Sequence, residues 1–303
     1  MIMTINGKVS SIEQVVSLLS TGCPAQCEYV PHPEQKLPSI ERLREFVDLV
    51  RAVIFPGYFG APISSFESLH HFIGVRIEKI AELLTSQIGL VRQSDPEGDD
   101  AAEAPASVAR RFIEMLPEIR RVLCTDVRAI YDGDPAAKSH GEIIFCYPSI
   151  RAMINHRTAN TLLGLGVPLI PRIISEMSHS ETGIDIHPGA KIGEYFCIDH
   201  GTGVVIGETC TIGDHVRLYQ GVTLGAKRFE LDKEGNPVKN VLRHPIIEDN
   251  VVIYSNANIL GRITIGRNSV IGGSVWVTRS VPPNSRIQQQ KAVESTFIDG
   301  LGI

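Results

Sequence analysis

The sequence predicts an α+β chain of two domains: an N-terminal α-helical domain over residues 1–182 and a parallel β-helix over 183–283, followed by a flexible tail over 284–303. Three observations carry this expectation. Aliphatic residues recur at every sixth position in the second half, they recur at helical spacing in the first half, and Gly or Asn falls where a six-residue side must turn a corner. A length of 303 residues is enough for roughly two domains, each with its own core.

In the first half, Ser10 with Glu13 forms a capping-box pattern that opens a short helix running through Leu19. Ser39 precedes an apolar stripe at Ile40, Leu43, Val47, Val50 and Ile54, after which the PGYFGAP segment turns. Leu69, Ile73, Ile77, Ile80, Leu84, Ile88 and Val91 make a further stripe at helical spacing. The acidic, Ala/Pro-rich stretch DPEGDDAAEAPA, residues 95–106, lacks aliphatic anchors and predicts a linker or exposed loop. Ser107 is expected to open the next helix, which carries Val108, Phe112, Met115, Ile119, Val122 and Ile130 on one side. That helix is expected to bend or break at Pro117 and to end at the DGDP turn. Ser149 to Leu163 predicts one more helix, and Pro168 and Pro171 limit the segment leading into the repeat.

The repeat is anchored at Ile186, Ile192 and Ile198, then after a two-residue slip at Ile206, Ile212, Leu218 and Leu224. After a longer interruption it resumes at Ile247, Ile253, Ile259, Ile265, Ile271 and Val277. A helix cannot keep one face at a period of six, because 3.6 residues per turn would rotate the anchors around the cylinder. A short strand followed by a sharp corner can: three hexads close a triangular coil whose anchors all point inward, and stacked coils form a parallel β-helix. Gly189, Gly221, Asn250, Asn256 and Asn268, each three residues after an anchor, are the residue types that most readily turn such corners.

Composition narrows the function. Charged residues make up 21% and hydrophobic residues 43% of the chain, and the formal net charge is −5, values typical of a soluble globular protein. No basic excess points to nucleic acid. The nearly apolar run from Leu162 to Pro171 is far shorter than the roughly 20 residues a membrane span requires. The opening MIMTINGKVS has no charged-then-apolar leader, so no signal peptide is expected. Six scattered cysteines are expected to be reduced thiols in a cytoplasmic protein; Cys23 and Cys27 form one C-x3-C pair with no second pair.

Four of the ten histidines lie in the repeat: His187, His200, His215 and His244. Asp199 and His200 sit where the repeat slips by two residues, so they interrupt the solenoid instead of building it, and such an irregularity suggests use. Asp185, fifteen residues earlier, is spaced to approach His200 across adjacent coils. There it would fix the imidazole tautomer and make His200 a general base. Arg243 and His244 precede Pro245 where the anchors resume, and a guanidinium fork suits a carboxylate. Three histidines from neighbouring β-helices can also hold zinc, the competing account of the same residues.

At these residues the chain resembles the bacterial serine O-acetyltransferases of the hexapeptide-repeat acyltransferase family. The likeness runs from about Val108 to Pro283. Its specific pieces are D-P-A at Asp134 to Ala136, D-I-H-P-G-A-K-I-G at Asp185 to Gly193, I-D-H-G-T-G-V-V-I-G-E-T at Ile198 to Thr209, V-T-L-G at Val222 to Gly225, and R-H-P at Arg243 to Pro245. The resemblance implies a left-handed β-helix and a homotrimer, or a dimer of trimers, with active sites between neighbouring β-helices. It implies acetyl transfer from acetyl-CoA, as co-substrate and with no metal, to the hydroxyl of L-serine, the first step of cysteine biosynthesis. His200 would be the catalytic base, oriented by Asp185. Asp134 and Asp199 would hold the substrate ammonium, Arg243 and His244 its carboxylate, and Gly225, Ala226, Ser255 and Gly273 would line the CoA channel.

L-cysteine carries the same two charged ends as serine and is expected to act as a feedback inhibitor at the serine site. In the resembling family a tail ending in Ile enters the active site of O-acetylserine sulfhydrylase, and Ile303 is placed to do so here. The chain departs from the family pattern at the charged insertion of residues 227–242 and in the extra helices of the opening hundred residues. Two alternatives use the same solenoid. One is a zinc-dependent γ-type carbonic anhydrase; the other is a hexapeptide-repeat acetyltransferase with a different acceptor.

Overall fold

The computed structural model describes residues 12–20, 36–60, 62–94 and 103–289. The chain divides into two compact units, Met1–Leu37 and Pro38–Ile303. In the first, the described part is α1 (Ile12–Ser20). Ser10 of the expected capping box lies outside the described residues, as do Cys23, Cys27, His32, residues 95–102 and residues 290–303 of the expected tail; the start of that tail, residues 284–289, instead continues the solenoid, Arg286–Ile287 pairing in parallel with Val270–Ile271.

The second unit begins with six helices, α2 (Ile40–Ile54), α3 (Phe66–Ser94), α4 (Pro105–Gly133), α5 (His140–Cys146), α6 (Pro148–Gly164) and α7 (Ile170–Thr182). Ser39 caps α2 as expected, its hydroxyl accepting the Arg42 N–H at 3.2 Å. Leu43, Val47, Val50 and Ile54 are buried against α3, which contributes Ile80, Leu84, Ile88 and Val91 to the same core. Ile40, in the opening turn, is exposed.

Helix α4 corrects the expectation in three ways. It starts at Pro105 rather than Ser107, because proline's missing N–H and fixed φ suit a first turn. The Ser107 hydroxyl instead bonds the Glu103 carboxylate. The helix also runs unbroken through Pro117. The hydrogen bond lost there is offset by the buried face on either side, formed by Phe112, Leu116, Ile119 and Leu123, while Met115 is exposed.

Two helices were not anticipated. Helix α5 is a seven-residue segment capped by Ser139, whose hydroxyl accepts the Glu142 N–H at 3.1 Å. Helix α7 follows Pro168 and takes Pro171 into its first turn, so the prolines start a helix instead of merely limiting a segment. Gly183 then ends α7 in the left-handed conformation, φ 69°, with its N–H on the His179 carbonyl at 2.8 Å.

The described residues after α7 form the left-handed parallel β-helix, wound in about five turns. Strands are numbered along the chain. The first sheet stacks β1 (Asp185–Ile186), β4 (Val205–Ile206), β7 (Thr223–Gly225), β10 (Asn258–Leu260) and β13 (Trp276–Val277). The second stacks β2 (Lys191–Ile192), β5 (Thr211–Ile212), β8 (Ile246–Ile247) and β11 (Thr264–Ile265). The third stacks β3 (Cys197–Asp199), β6 (Arg217–Tyr219), β9 (Val252–Ile253), β12 (Val270–Ile271) and β14 (Arg286–Ile287). Every pairing is parallel, and anchor sits on anchor: Ile186 on Ile206, Ile206 on Leu224, Leu224 on Ile259 and Ile259 on Val277.

All the anchors are buried except Ile192, which is half-buried. Each fully buried Ile contributes roughly 1.5–3 kcal/mol. The corners are where the repeat predicts them: Asn250, Asn256, Asn268 and Gly221 have φ between 59° and 70°. Gly189 does not take a positive φ, whereas His215 and Ser274, three residues after Ile212 and Ile271, do. Register partners Val205 and Thr223 lie eighteen residues apart, but Asp185 and Val205 lie twenty apart, so the slip is real and falls at residues 200–204.

The helices grip the solenoid through a buried ion pair. Asp126, fully buried on α4, accepts two bonds from Arg157 of α6, at 2.8 Å to Nε and 2.9 Å to Nη2. Arg157 also donates to the Gly193 carbonyl at 2.9 Å, and Asp126 accepts the Phe196 N–H at 3.1 Å. Burial pushes the Asp126 carboxyl up to about 6, with Arg157 pulling the other way. Cys197 and Cys210 are buried free thiols, pushed up to about 12 by burial. Among the described residues, no helix is long and apolar enough to cross a membrane.

Candidate active site

A triangular coil has three edges, and the chemistry-bearing side chains collect on two of them. The first edge lies where the chain leaves the third sheet for the first, after β3, β6, β9 and β12. The second lies where it leaves the first sheet for the second, after β1, β4, β7 and β10.

On the first edge, the two extra residues after β3 force a bulge in which His200 takes φ 56°. Its imidazole projects outward, 76% exposed, with Nε2 3.9 Å from Asp199 Oδ1. Asp134, immediately after α4, faces the same region. Its Oδ2 accepts the Tyr147 hydroxyl at 2.6 Å and its Oδ1 accepts the Ala136 N–H at 2.8 Å. These two bonds, with the nearby His200 and Arg217 charges adding to them, hold the Asp134 carboxyl below its ordinary range. The same bond to Asp134 raises the Tyr147 phenol to about 12. The site thus carries a fixed carboxylate beside an imidazole and a second carboxylate.

On the second edge, residues from three coils interlock. Arg243 Nη2 donates to Glu208 Oε2 at 2.6 Å. The Thr209 hydroxyl accepts the backbone N–H of both Arg243, at 3.0 Å, and His244, at 3.1 Å. His244 is buried, and its Nδ1 accepts the Thr209 backbone N–H at 3.0 Å. Burial, aided by the neighbouring Arg243, pushes His244 down to about 4. It is therefore neutral at pH 7, and because Nδ1 accepts, its proton sits on Nε2, which remains a donor. His187 is arranged alike: burial lowers it, and its Nδ1 accepts the Gly189 N–H at 3.0 Å. Gly207 is required beneath this group, since a Cβ there would lie 2.1 Å from the His244 ring. This edge offers a guanidinium and neutral imidazole N–H groups, a set suited to a carboxylate.

The structure therefore brings Asp134, Asp199 and His200 together on one edge, and Arg243 and His244 on another. Asp185 opens β1, two residues before His187, and its charge acts on that imidazole. No hydrogen bond or ion pair joins Asp185 to His200; its carboxylate lies within 4.8 Å of ligand atoms of Glu176 and His179 on α7. That trio is the only group among the described residues with metal-ligand spacing, and it holds a single histidine. The four expected channel residues also divide. Gly225 closes β7 and Ala226 follows it onto the second edge, where residues of the 227–242 insertion line a cavity of about 240 Å³ with Leu260 and Arg262. Ser255 and Gly273 stack on the first edge, where a Cβ on Gly273 would lie 3.1 Å from the Ser255 carbonyl.

Sequence reasoning missed Glu208, Tyr147 and Arg217. Glu208 was legible as a fixed acid within the I-G-E-T run. Nothing in the local pattern marks the other two, whose partners lie on distant segments.

Residues 244–279 match the family model described as bacterial transferase hexapeptide (six repeats). A relative from Synechococcus elongatus, described as serine acetyltransferase, plasmid, is 50% identical over 305 residues, covering 96% of this chain and 95% of its own. Among solved structures, serine acetyltransferase 1 from Entamoeba histolytica in complex with L-cysteine superposes with a TM-score of 0.72 at 35% identity, covering 84% of this chain and 88% of that one. Isoform 3 from the same organism, in complex with cysteine, gives 0.69 at 31% identity, covering 88% and 86%.

Proposed function

The chain belongs to the serine acetyltransferase family, and from that membership we propose that it moves the acetyl group of acetyl-CoA onto the hydroxyl of L-serine in a cleft shared by two copies of the chain. The family uses acetyl-CoA as co-substrate. The names of the relatives favour this reading over a zinc-dependent carbonic anhydrase and over a different acceptor.

One observation carries the shared cleft: the groups suited to an ammonium and those suited to a carboxylate stand on different edges of one prism. A small zwitterion has these ends a few ångströms apart, so it needs the first edge of one copy against the second edge of a neighbour. A homotrimer of parallel β-helices supplies that contact three times. The channel residues divide between the same two edges and support the same assembly.

In this cleft Asp134 and Asp199 receive the serine ammonium, while Arg243 and the His244 Nε2–H of the neighbour receive its carboxylate. His200 takes the proton from the serine hydroxyl as that oxygen bonds to the thioester carbonyl carbon. When the C–S bond breaks, the imidazolium returns the proton to the CoA sulfur, so the charge on His200 is restored. Asp185 opens the strand registered against the one that follows His200 and acts as its orienting carboxylate; the exposed imidazole is free to turn toward it. Ser255 and Gly273 on one copy, and Gly225 and Ala226 on the next, leave room for the pantetheine arm.

Acetyl-CoA-dependent thiol release is expected with L-serine, with L-cysteine competing against serine. Competition against acetyl-CoA alone would contradict the shared charged ends. The reduced thiols fit a cytoplasmic enzyme. Ile303, outside the described residues, would dock in O-acetylserine sulfhydrylase by presenting a carboxylate and one apolar side chain. Deleting it should abolish co-purification of the two enzymes, and unchanged co-purification would remove this partner.

A further inference from the structure

We propose that Tyr147 is a positioning residue for the substrate ammonium, its hydroxyl locking the Asp134 carboxylate in the orientation that receives the charge. The inference rests on the reading of Asp134 as an ammonium acceptor. Asp134 is the first residue past α4, in a short turn closed by the Ala137 N–H on its carbonyl at 3.2 Å. A carboxylate so placed would rotate freely about its terminal bond. Two donors stop it: the Ala136 N–H on Oδ1 at 2.8 Å and the Tyr147 hydroxyl on Oδ2 at 2.6 Å. A carboxylate has about four lone-pair sites, so both oxygens keep acceptor capacity for an ammonium after these bonds are made.

Tyr147 is itself fixed. It stands between α5 and α6, where its backbone N–H closes α5 on the Ile143 carbonyl at 3.1 Å and it serves as the N-cap position of α6. Its half-buried ring packs on the core. From the other side, Arg217 of β6 donates to the carbonyls of Ala129 and Gly133, the closing turn of α4. A Cβ on Gly133 would overlap that guanidinium, at 1.3 Å from Nη2, so glycine is what lets the solenoid seize the helix end one residue before Asp134. Arg217 thus fixes the backbone that carries the carboxylate, and Tyr147 fixes the carboxylate on that backbone.

The test is steady-state kinetics of the full-length enzyme with Tyr147→Phe, which removes only the hydroxyl. KM for L-serine should rise about tenfold, the scale of one hydrogen bond to a charged group, while kcat falls by no more than about twofold. KM for acetyl-CoA should stay unchanged, and cysteine inhibition should weaken by the same factor as serine binding. Asp134→Asn should raise serine KM further, and Asp134→Asn/Tyr147→Phe should be no worse than Asp134→Asn alone. A wild-type serine KM in Tyr147→Phe, with Asp134→Asn still impaired, would overturn the positioning role while leaving Asp134 in place. A loss shared equally by both substrates and accompanied by a lower Tm would reduce Tyr147 to a packing residue and also overturn it. If Asp134→Asn leaves serine KM unchanged, the ammonium reading fails and the proposal fails with it.

Discussion

Replacing His200 with asparagine should lower acetyl transfer to serine by about 10²–10⁴-fold, the usual contribution of a positioned general base, with the oligomer intact. Asparagine is the informative substitution because His200 sits at φ 56°. Asn tolerates that left-handed backbone better than most residues, so the variant removes the base without adding strain to the bulge. Thiol release in the presence of serine, with sedimentation as the control on assembly, reads the result. Wild-type turnover in His200→Asn would eliminate this imidazole as the base. The divided site adds a second expectation. His200→Asn and Arg243→Ala, each inactive alone, should regain part of the activity when unfolded and refolded together, because some clefts then receive an intact edge from each variant. No recovery in demonstrably mixed oligomers would mean that both residues act within one chain.

The largest expected stability effect is at Asp126. Asp126→Ala leaves Arg157 buried without its counter-ion, which costs about 3–5 kcal/mol and lowers Tm by on the order of 10 °C. The pair also holds the Gly193 carbonyl and the Phe196 N–H, so substituting both partners with apolar residues should recover only part of the loss. Thermal melts of the single and double variants check this, and a single variant melting within about 1 °C of wild type would refute it. Phe196 is followed by β3 and then by His200, so partial melting here should weaken catalysis before the rest of the solenoid opens.

The solenoid was the most legible part of the sequence because its signal is local and repeated. An Ile every sixth residue and Asn or Gly three residues later specify both the side and the corner, and the thirteen anchors stack as the spacing requires. The slip that begins at His200 was legible for the same reason, because it breaks a pattern, but Asp199 belongs to β3 in register with Tyr219 and builds the solenoid instead of interrupting it. The helices were read less well where a local rule competed with packing. Pro117 obeys the buried face of α4, and Pro171 lies in the first turn of α7, just after Pro168. The site was legible in its residue types but not in its contacts. The bond from Tyr147 to Asp134, the cap from Arg217 to Gly133 and the pairing of Arg243 with Glu208 each join segments that no periodicity connects. Asp185 illustrates the limit of spacing, since the groups that stand beside its carboxylate, Glu176 and His179, come from α7.

The segment between β7 and β8 leaves the prism and returns to it with the register unchanged, Leu224 pairing with Ile259 as if nothing intervened. Chain length is therefore unconstrained at that corner and rigidly constrained along every side. Extra residues can accumulate there over evolutionary time, or be grafted there by design, without unthreading the coils. A single residue gained within a strand would turn all the later isoleucines toward water.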